Sequence, residues 1–479
     1  MLEDLIKEKR QKLEKYESVE SAYPAKVKRD FPLGEITDNF GKFEGKKVSL
    51  TGRIMARRDQ GKIIFMPIDD GSGRIQLVLG GEKTENFDLV KETFDVGDFV
   101  EAEGRLMKTQ RGEKSLEVEW VRIIAKNLRP LPAEWFGIED VETRLRERYL
   151  DILFRPEVRE IFVKKDKFWN AVRTFMRKAE FLEVETPVLE NVPGGADAEP
   201  FTTHMKALNR DFYLRISLEL PLKKLLVGGY DKVFEIGRIF RNEGIDREHL
   251  QDYTQMECYW AYADYNDMME FTEGLYKHVI KEIFGGLKTE SFGEKIDWAK
   301  SWKRVDYYEI FKKEAGLDLK KATYGDLLEK ARKLGLEPEK GAGKGRLIDL
   351  IFKHTARKKI VEPSFLVDPP VEVEPLAKRL SRDPGRVARF QIMAFGTELG
   401  KGFSELNDPT DQRKRFEEQM KLRAEGDKEA QRLDEDYLRA MEYGMPPAAG
   451  FGMSERFFAV LMDKSVRETV IFPLMREKE

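Results

Sequence analysis

The sequence predicts an α+β protein with two parts, a small five-stranded β-barrel and then a larger domain of helices on an antiparallel sheet. Three observations predict it. Short alternating apolar runs, separated by turn residues, follow one another between about residues 46 and 125. Residues 157–180 carry a single apolar helical face. Between Asp231 and Tyr265, two strand-like runs flank a short polar loop.

The elements follow in order. Residues 1–30 mix charges with Leu and Ile at helical spacing, and Tyr23-Pro24 closes this helix. Residues 1–40 are therefore read as an N-terminal helical extension. Val48 to Met55, Lys62 to Ile68, Arg74 to Leu79, Phe99 to Met107 and Ser115 to Ile124 read as strands. Turns at Asp70-Gly71-Ser72-Gly73 and Arg111-Gly112 join two of the pairs. Five such strands within residues 41–127 fit a Greek-key barrel of the OB type. A proline-rich stretch, Leu128 to Pro132, opens a hinge over residues 128–155. The segment 156–479 is then one large α+β domain, with a Lys-rich helical insertion at about 285–360. In F-L-E-V-E-T-P-V-L, Pro187 confines the strand to an edge or an interface. Gly341-Ala-Gly-Lys-Gly345 lacks the spacing of a phosphate loop and reads as a flexible loop.

Composition narrows the function classes. With 479 residues and 41% hydrophobic content, the chain can bury large cores. Its 85 basic and 88 acidic residues give a net charge of −3. A nucleic-acid partner would have to meet local basic patches, not a bulk positive field. One cysteine, Cys258, excludes a disulfide framework and a multi-cysteine zinc site. The N-terminus has no signal-peptide core and no apolar run reaches membrane-spanning length, so a soluble cytoplasmic protein is expected.

Four constellations carry chemistry. Arg241, in F-R-N-E, offers a planar, permanently charged fork that can hold an α-phosphate and a carboxylate oxygen together. Its alternative is a surface salt bridge. After it come Glu243, His249 and Tyr253. Tyr253 can stack on a base or pack in a core, His249 can reach outer phosphates or be structural, and Glu243 can be a solvated loop carboxylate. The second constellation, R-I-S-L-E-L-P-L-K, contains Glu219. The third, E-L-G-K-G-F-S-E-L-N-D-P, contains Glu398 and Glu405. Glu219, Glu257 and Glu405 gathered at one site would repel, so they need cations. An amino acid with two ammonium groups, together with magnesium for the remaining carboxylates, meets that need. The fourth, G-F-G-M-S-E-R, ends at Arg456 and runs into a helix-like segment. Small residues there let the backbone approach a ligand closely.

These stretches resemble the class II lysyl-tRNA synthetases of bacterial type, over roughly residues 40–285 and 365–475. F-L-E-V-E-T-P-V-L resembles motif 1, F-R-N-E-G through Y-A-D-Y resembles motif 2, and G-F-G-M-S-E-R-F resembles motif 3. V-P-G-G-A-D-A-E-P-F is similar to the loop preceding the amino-acid pocket, and V-S-L-T-G-R-I-M-A-R-R resembles the anticodon-binding barrel. The resemblance implies ATP-dependent ligation of L-lysine to tRNA(Lys) through lysyl-adenylate, with magnesium and a homodimer built on motif 1. It implies that Arg241 and Arg456 are catalytic. ATP would be held by Arg241, Glu243, His249, Tyr253, Glu398 and Arg456. Lysine would be held by Glu219, Glu257, Tyr259, Lys401, Phe403 and Glu405, with the backbone at Gly195. Glu398 and Gln391 would face the metal, and Arg57, Phe65 and Gln76 the anticodon.

Three positions depart from the family pattern. Gln391 stands where a second metal-binding Glu is usual, Lys401 where Asn is usual, and motif 3 is one residue short with Ser454 for a Gly. The rivals are an aspartyl- or asparaginyl-tRNA synthetase, a lysyl ligase acting on a translation factor, and a non-catalytic RNA-binding paralogue. An acidic substrate would call for an Arg near the place of Glu405, the barrel argues against the second rival, and retention of Arg241, Glu257, Glu398 and Arg456 argues against the third.

Overall fold

A computed structural model describes residues 2–132, 140–244, 250–338, 342–427 and 429–476. The chain divides into two compact units, Met1–Arg144 with Tyr149–Phe154, and Leu145–Arg148 with Arg155–Glu479.

In the first unit, strands Lys47–Ile54, Ile63–Asp69, Arg74–Gly80, Phe99–Lys108 and Lys114–Ala125 form the barrel. Lys47–Ile54 pairs with both Phe99–Lys108 and Ile63–Asp69, which closes it. Period-2 burial follows from the sequence, since Ile64, Met66 and Ile68 point inward and are fully buried. Two elements lie beyond the sequence reading: a short strand Arg58–Asp59, and a helix Phe87–Thr93 between the third and fourth barrel strands. The N-terminal helix ends at Glu17, short of the expected Tyr23-Pro24. Its Tyr16 is buried in the barrel core and accepts a hydrogen bond from the Ile123 N–H (3.0 Å). Only glycine fits at 104, where a Cβ would stand 2.0 Å from the Glu117 carbonyl oxygen.

The second unit is built on an eight-stranded sheet. Its order is Lys303–Asp306, Ser364–Val367, Arg389–Ala394, Thr397–Ser404, Ala448–Ser454, Asp252–Ala261, Lys232–Phe240, Leu182–Glu183. The six inner strands are antiparallel, as expected. The two outermost pairings are parallel, so the sheet is mixed. Parallel pairing at both rims arises because those edge strands arrive from distant crossovers, not from hairpins. Leu182–Glu183 sits at an edge, where Pro187 soon ends its pairing.

Each face of this sheet has a distinct cover. One face presents Met256, Cys258, Phe390, Ile392, Phe451 and Met453 to helices Pro156–Lys178 and Tyr265–Phe284. Phe168, Val172 and Met176 give the first helix its buried stripe, as the 3.6-residue period requires. The second helix starts at a capping box of Asp264 and Asp267 and stops at Gly285 (φ 72°). The Lys-rich segment is helical only in its later part. It opens with a hairpin, Lys288–Ser291 and Glu294–Asp297, and supplies the edge strand Lys303–Asp306. Helices Tyr307–Ala315, Tyr324–Lys333 and Lys344–Thr355 follow and cluster with Leu366 and Met393 of the main sheet. Lys344 and Gly345, expected in a flexible loop, open the last of these helices. Gly345 passes so close to Glu372 that a Cβ would lie 2.0 Å from its carbonyl oxygen.

Candidate active site

The opposite face of the sheet carries the polar residues singled out above, and strand register explains why. Glu257 pairs with Gly452, Gly452 with Lys401, and Lys401 with Gln391. The next row runs Tyr259, Gly450, Phe403, Arg389. Residues paired across strands share a face, so both rows project together. The central strand contributes glycines to both rows, and at Gly450 the missing Cβ lets Glu405 and Tyr259 close over the strand. A Cβ at Gly450 would lie 2.2 Å from Glu405 Oε1 and 2.5 Å from Tyr259 Cε1. Glu398 reaches this face through a register shift at Ile392/Met393, where Leu399 is the extra residue.

The three carboxylates of the sequence reading gather here. Glu257 is buried and fully engaged. Its Oε1 accepts from the Ser217 hydroxyl (2.7 Å), the Leu218 N–H (3.0 Å) and Gln255 Nε2 (2.6 Å), and its Oε2 accepts from the Tyr259 hydroxyl (2.8 Å). Glu219 opens the helix Glu219–Val227, and Lys223 one turn later donates to it. Lys223 also pairs with Glu405 Oε2. Its ammonium lies 5.4 Å from the Phe403 ring centre and 5.8 Å from that of Tyr259. Gly195 (φ 82°) brings its backbone against Glu219 and Ser217, where a Cβ would meet Glu219 Cβ at 2.8 Å. Burial pushes the carboxyls of Glu219 and Glu405 upward, against the pull of Lys223. Burial also opposes the charge on Lys223, but the two carboxylates outweigh it and hold its pKa well above normal.

A second cluster lies alongside. Gln391 Nε2 donates to Glu398 Oε2 (2.6 Å). Lys401 pairs with the buried Glu374 (3.0 Å), with Arg389 Nε at 3.6 Å from the same oxygen. The Lys401 ammonium is thus engaged by a carboxylate that the sequence reading did not single out. Arg241 follows the strand Lys232–Phe240. Its N–H donates to the Gln251 carbonyl (2.8 Å) and its Nε to the Ile216 carbonyl (3.3 Å). The guanidinium lies 5.7 Å from the Tyr253 ring centre, so the expected phosphate and base residues adjoin each other. Glu243 is half-buried, and its carbonyl accepts from Gln251 Nε2 (3.3 Å). His249 lies outside the described residues. Arg456 begins the helix Arg456–Leu461, directly after the Ala448–Ser454 strand, and its N–H donates to the Ser454 hydroxyl (3.3 Å).

In the barrel, Phe65 is half-buried on the outer surface. Gln76, expected to read a base edge, is buried: its amide accepts from Arg58 Nη2 (2.9 Å) and donates to the Ser115 hydroxyl (3.3 Å). Arg57, given the same task, turns its guanidinium to the carbonyls of Phe94 (2.6 Å) and Lys91 (2.7 Å). The exposed Arg58, beside it in sequence, lies 5.7 Å from the Phe65 ring centre. The adjacent pair Arg57-Arg58 was the only sequence signal for it.

The residues missing from the sequence reading are Ser217, Lys223, Gln255, Glu374, Arg389 and Arg58. Glu219 and Lys223 stand four apart, a spacing that marks facing neighbours on a helix. Glu374 and Arg389 had no such local signal.

A closed OB-type barrel and a catalytic-type sheet with this motif geometry define a class II tRNA synthetase. The family model of class II tRNA synthetases (D, K and N) matches residues 140–476, and that of the OB-fold nucleic acid binding domain matches residues 48–124. A lysine–tRNA ligase of Pelotomaculum thermopropionicum is 43% identical over the whole chain and 96% of its own length. Those of Carboxydothermus hydrogenoformans and Moorella thermoacetica are 42% identical (100% of this chain, 99% of the relative) and 44% identical (93% and 92%). The chain belongs to the lysine–tRNA ligase family.

Ser217→Ala strips a hydrogen bond from the buried Glu257 carboxylate. It is expected to lower stability by about 1–3 kcal/mol. Chemical denaturation of the full chain measures this, and an unchanged midpoint would show that Glu257 does not depend on Ser217.

Proposed function

We infer that this chain joins L-lysine to tRNA(Lys) in an ATP-dependent reaction. The lysine carboxylate attacks the α-phosphorus of ATP, the bond to the bridging oxygen breaks, and pyrophosphate leaves. The 3′-hydroxyl of the tRNA terminal ribose then attacks the acyl carbon and AMP leaves. No side-chain nucleophile is needed, so the protein contributes positioning and charge stabilisation. The observation that carries this reading is the convergence of Glu219, Glu257, Glu405 and Tyr259 on one sheet face beside Arg241.

Glu405 would receive the side-chain ammonium of lysine, with Tyr259 and Phe403 walling its path. Glu219, Glu257 and the Gly195 backbone would receive the α-ammonium. Arg241 would bridge the α-phosphate and the lysine carboxylate, Tyr253 would stack on adenine, and Arg456 would hold the γ-phosphate. His249 would meet the outer phosphates and Glu243 the nucleotide. An analogue without the side-chain amine would leave a buried carboxylate unpaired, which is a strong basis for rejection. An acidic substrate finds no such welcome, because the two nearby ammonium groups, Lys223 and Lys401, are already paired with carboxylates.

Glu398 would be the one carboxylate of the expected pair to meet magnesium, since the described residues hold no cluster of three or more His, Cys, Asp or Glu side chains suited to a metal ion. Such an ion would take its other ligands from substrate oxygens and water. Gln391 occupies one Glu398 oxygen through its amide and adds no negative charge. Magnesium would neutralise phosphate charge on ATP.

Phe65 would stack on an anticodon base, supported by Arg57, Gln76 and the neighbouring Arg58. The motif 1 region carries Val163, Leu182, Val188 and Leu189 exposed, which supports a homodimer through that surface. No helix among the described residues is long and apolar enough to cross a membrane. The reading places the chain in the cytoplasm, which cell fractionation checks.

Pyrophosphate exchange with each common amino acid tests the central reading. Exchange with lysine alone is expected, and exchange with aspartate or with none refutes it. Arg241→Ala is expected to reduce lysine-dependent exchange at least about a hundredfold while sparing tRNA binding. Phe65→Ala is expected to weaken tRNA charging and leave exchange intact, and equal loss of both removes the barrel from anticodon recognition. Sedimentation velocity is expected to give a dimer mass, and a monomer at working concentration removes that part of the reading.

A further inference from the structure

Lys223 is wholly buried, and a buried ammonium has to be matched by partners of opposite charge. Its partners are Glu219, one helical turn earlier, and Glu405. Both Glu405 oxygens are buried without a hydrogen-bond partner among the described residues, and Lys223 meets Oε2 as an ion pair. The Lys223 ammonium reaches Glu405 from the side of the Tyr259 and Phe403 rings, while Oε1 packs against Gly450 and Tyr259.

We propose that Lys223 is a positioning residue that sets amino-acid specificity: it fixes the Glu405 carboxyl by an ion pair at Oε2 and leaves the cage of Glu219, Glu405 and Lys223 with one net negative charge for the side-chain ammonium of the substrate. The proposal rests on Glu405 as the receiver of that ammonium. Glu219 and Glu405 contribute two negative charges and Lys223 one positive, which leaves −1. The side-chain ammonium of the substrate brings these three groups to neutrality, and its α-ammonium is matched by Glu257, the further carboxylate assigned to it. A neutral side chain leaves a buried charge unmatched, and an acidic one doubles it. Without Lys223, two neighbouring carboxylates in a dry site would share a proton near neutral pH. The other titratable or charged groups facing them are Glu257 and Tyr259 from the strand Asp252–Ala261, Tyr437 from the helix Glu435–Glu442, Glu374, and Lys401 beyond it. Of these, Lys401 is the remaining cation, and Glu374 already pairs with it.

The test is lysine-dependent pyrophosphate exchange of the full chain between about pH 6 and pH 9, with KM and kcat resolved. Lys223→Met is expected to raise the KM for lysine roughly tenfold to hundredfold, with a smaller change in kcat. Its KM is expected to fall as pH rises, because the bare carboxylate pair must release its shared proton before it can hold an ammonium. The wild-type KM is expected to change less over that range than that of Lys223→Met, and Lys223→Arg, which keeps the charge, to follow the wild-type profile. An unchanged KM, a profile in Lys223→Met no steeper than the wild-type one, or equal losses in the Met and Arg variants overturns the proposal. A lower KM also overturns it, since Lys223 would then be an occupant that the substrate must displace. If Lys223→Met does not fold, Lys223→Ala is assayed in propylammonium, which replaces the missing side chain. Recovered exchange supports the proposal and no recovery overturns it. Glu405→Gln separates the two levels of inference. If it leaves the lysine KM unchanged, the functional reading of Glu405 fails. If it raises KM while Lys223→Met does not, only the role of Lys223 fails.

Discussion

The second unit depends on gathering several carboxyl groups on one buried face of a sheet. Charge taken out of water is costly unless it is paired. At an effective dielectric near 20, two like charges about 4 Å apart repel by roughly 4 kcal/mol. The chain meets this constraint with partners from its own sequence. Glu257 takes four hydrogen bonds, Glu219 and Glu405 share Lys223, and Glu374 lies between Lys401 and Arg389. An acidic pocket thus exists before a ligand enters, and the charge it still lacks is the charge a lysine side chain carries.

The backbone makes room for that chemistry. The strand Ala448–Ser454 is the fifth of eight and runs through the middle of the polar face. Its glycines at 450 and 452 lie between the Glu257 and Lys401 strands, and the bare Gly450 gives Glu405 and Tyr259 the space to pack over it. The reverse face of the same strand carries Phe451 and Met453 into the main core. Period-2 alternation therefore does both tasks with one strand, anchoring it on one side and clearing space on the other. The register shift near Leu399 adds the last component, because without the extra residue Glu398 would point into the core.

Much of this was legible in the sequence because the signals are local. The barrel strands show period 2, the helix Pro156–Lys178 shows period 3.6, and Arg241, Glu257 and Arg456 stand in stretches of distinctive composition. What stayed hidden depends on tertiary placement. Nothing near Glu374 foretells that it will meet Lys401, 27 positions away. Gln76 alternates outward with Phe65 and reads as exposed, yet Arg58 folds over it. The parallel rims of the sheet come from crossovers, which strand patterns do not encode. The strands at 288–297 lie in a segment whose Lys-rich composition masks them.

Two of the departures from the family pattern prove to be one structural feature. Gln391 and Lys401 stand ten positions apart, on the two arms of a hairpin, and are direct register partners on adjacent strands. Each is tied to its own carboxylate, Gln391 to Glu398 and Lys401 to Glu374. A glutamate at 391 would stand beside Glu398 with no amide to bridge them, and the two acids would repel unless a cation lay between. An asparagine at 401 would leave the buried Glu374 with Arg389 alone. The amide at 391 removes one negative charge from this corner and the ammonium at 401 adds one positive charge, so both changes act in the same electrostatic direction. Glu374 then returns part of the balance. These two positions set the charge of this corner jointly, and a substitution at one of them alters the surroundings of the other.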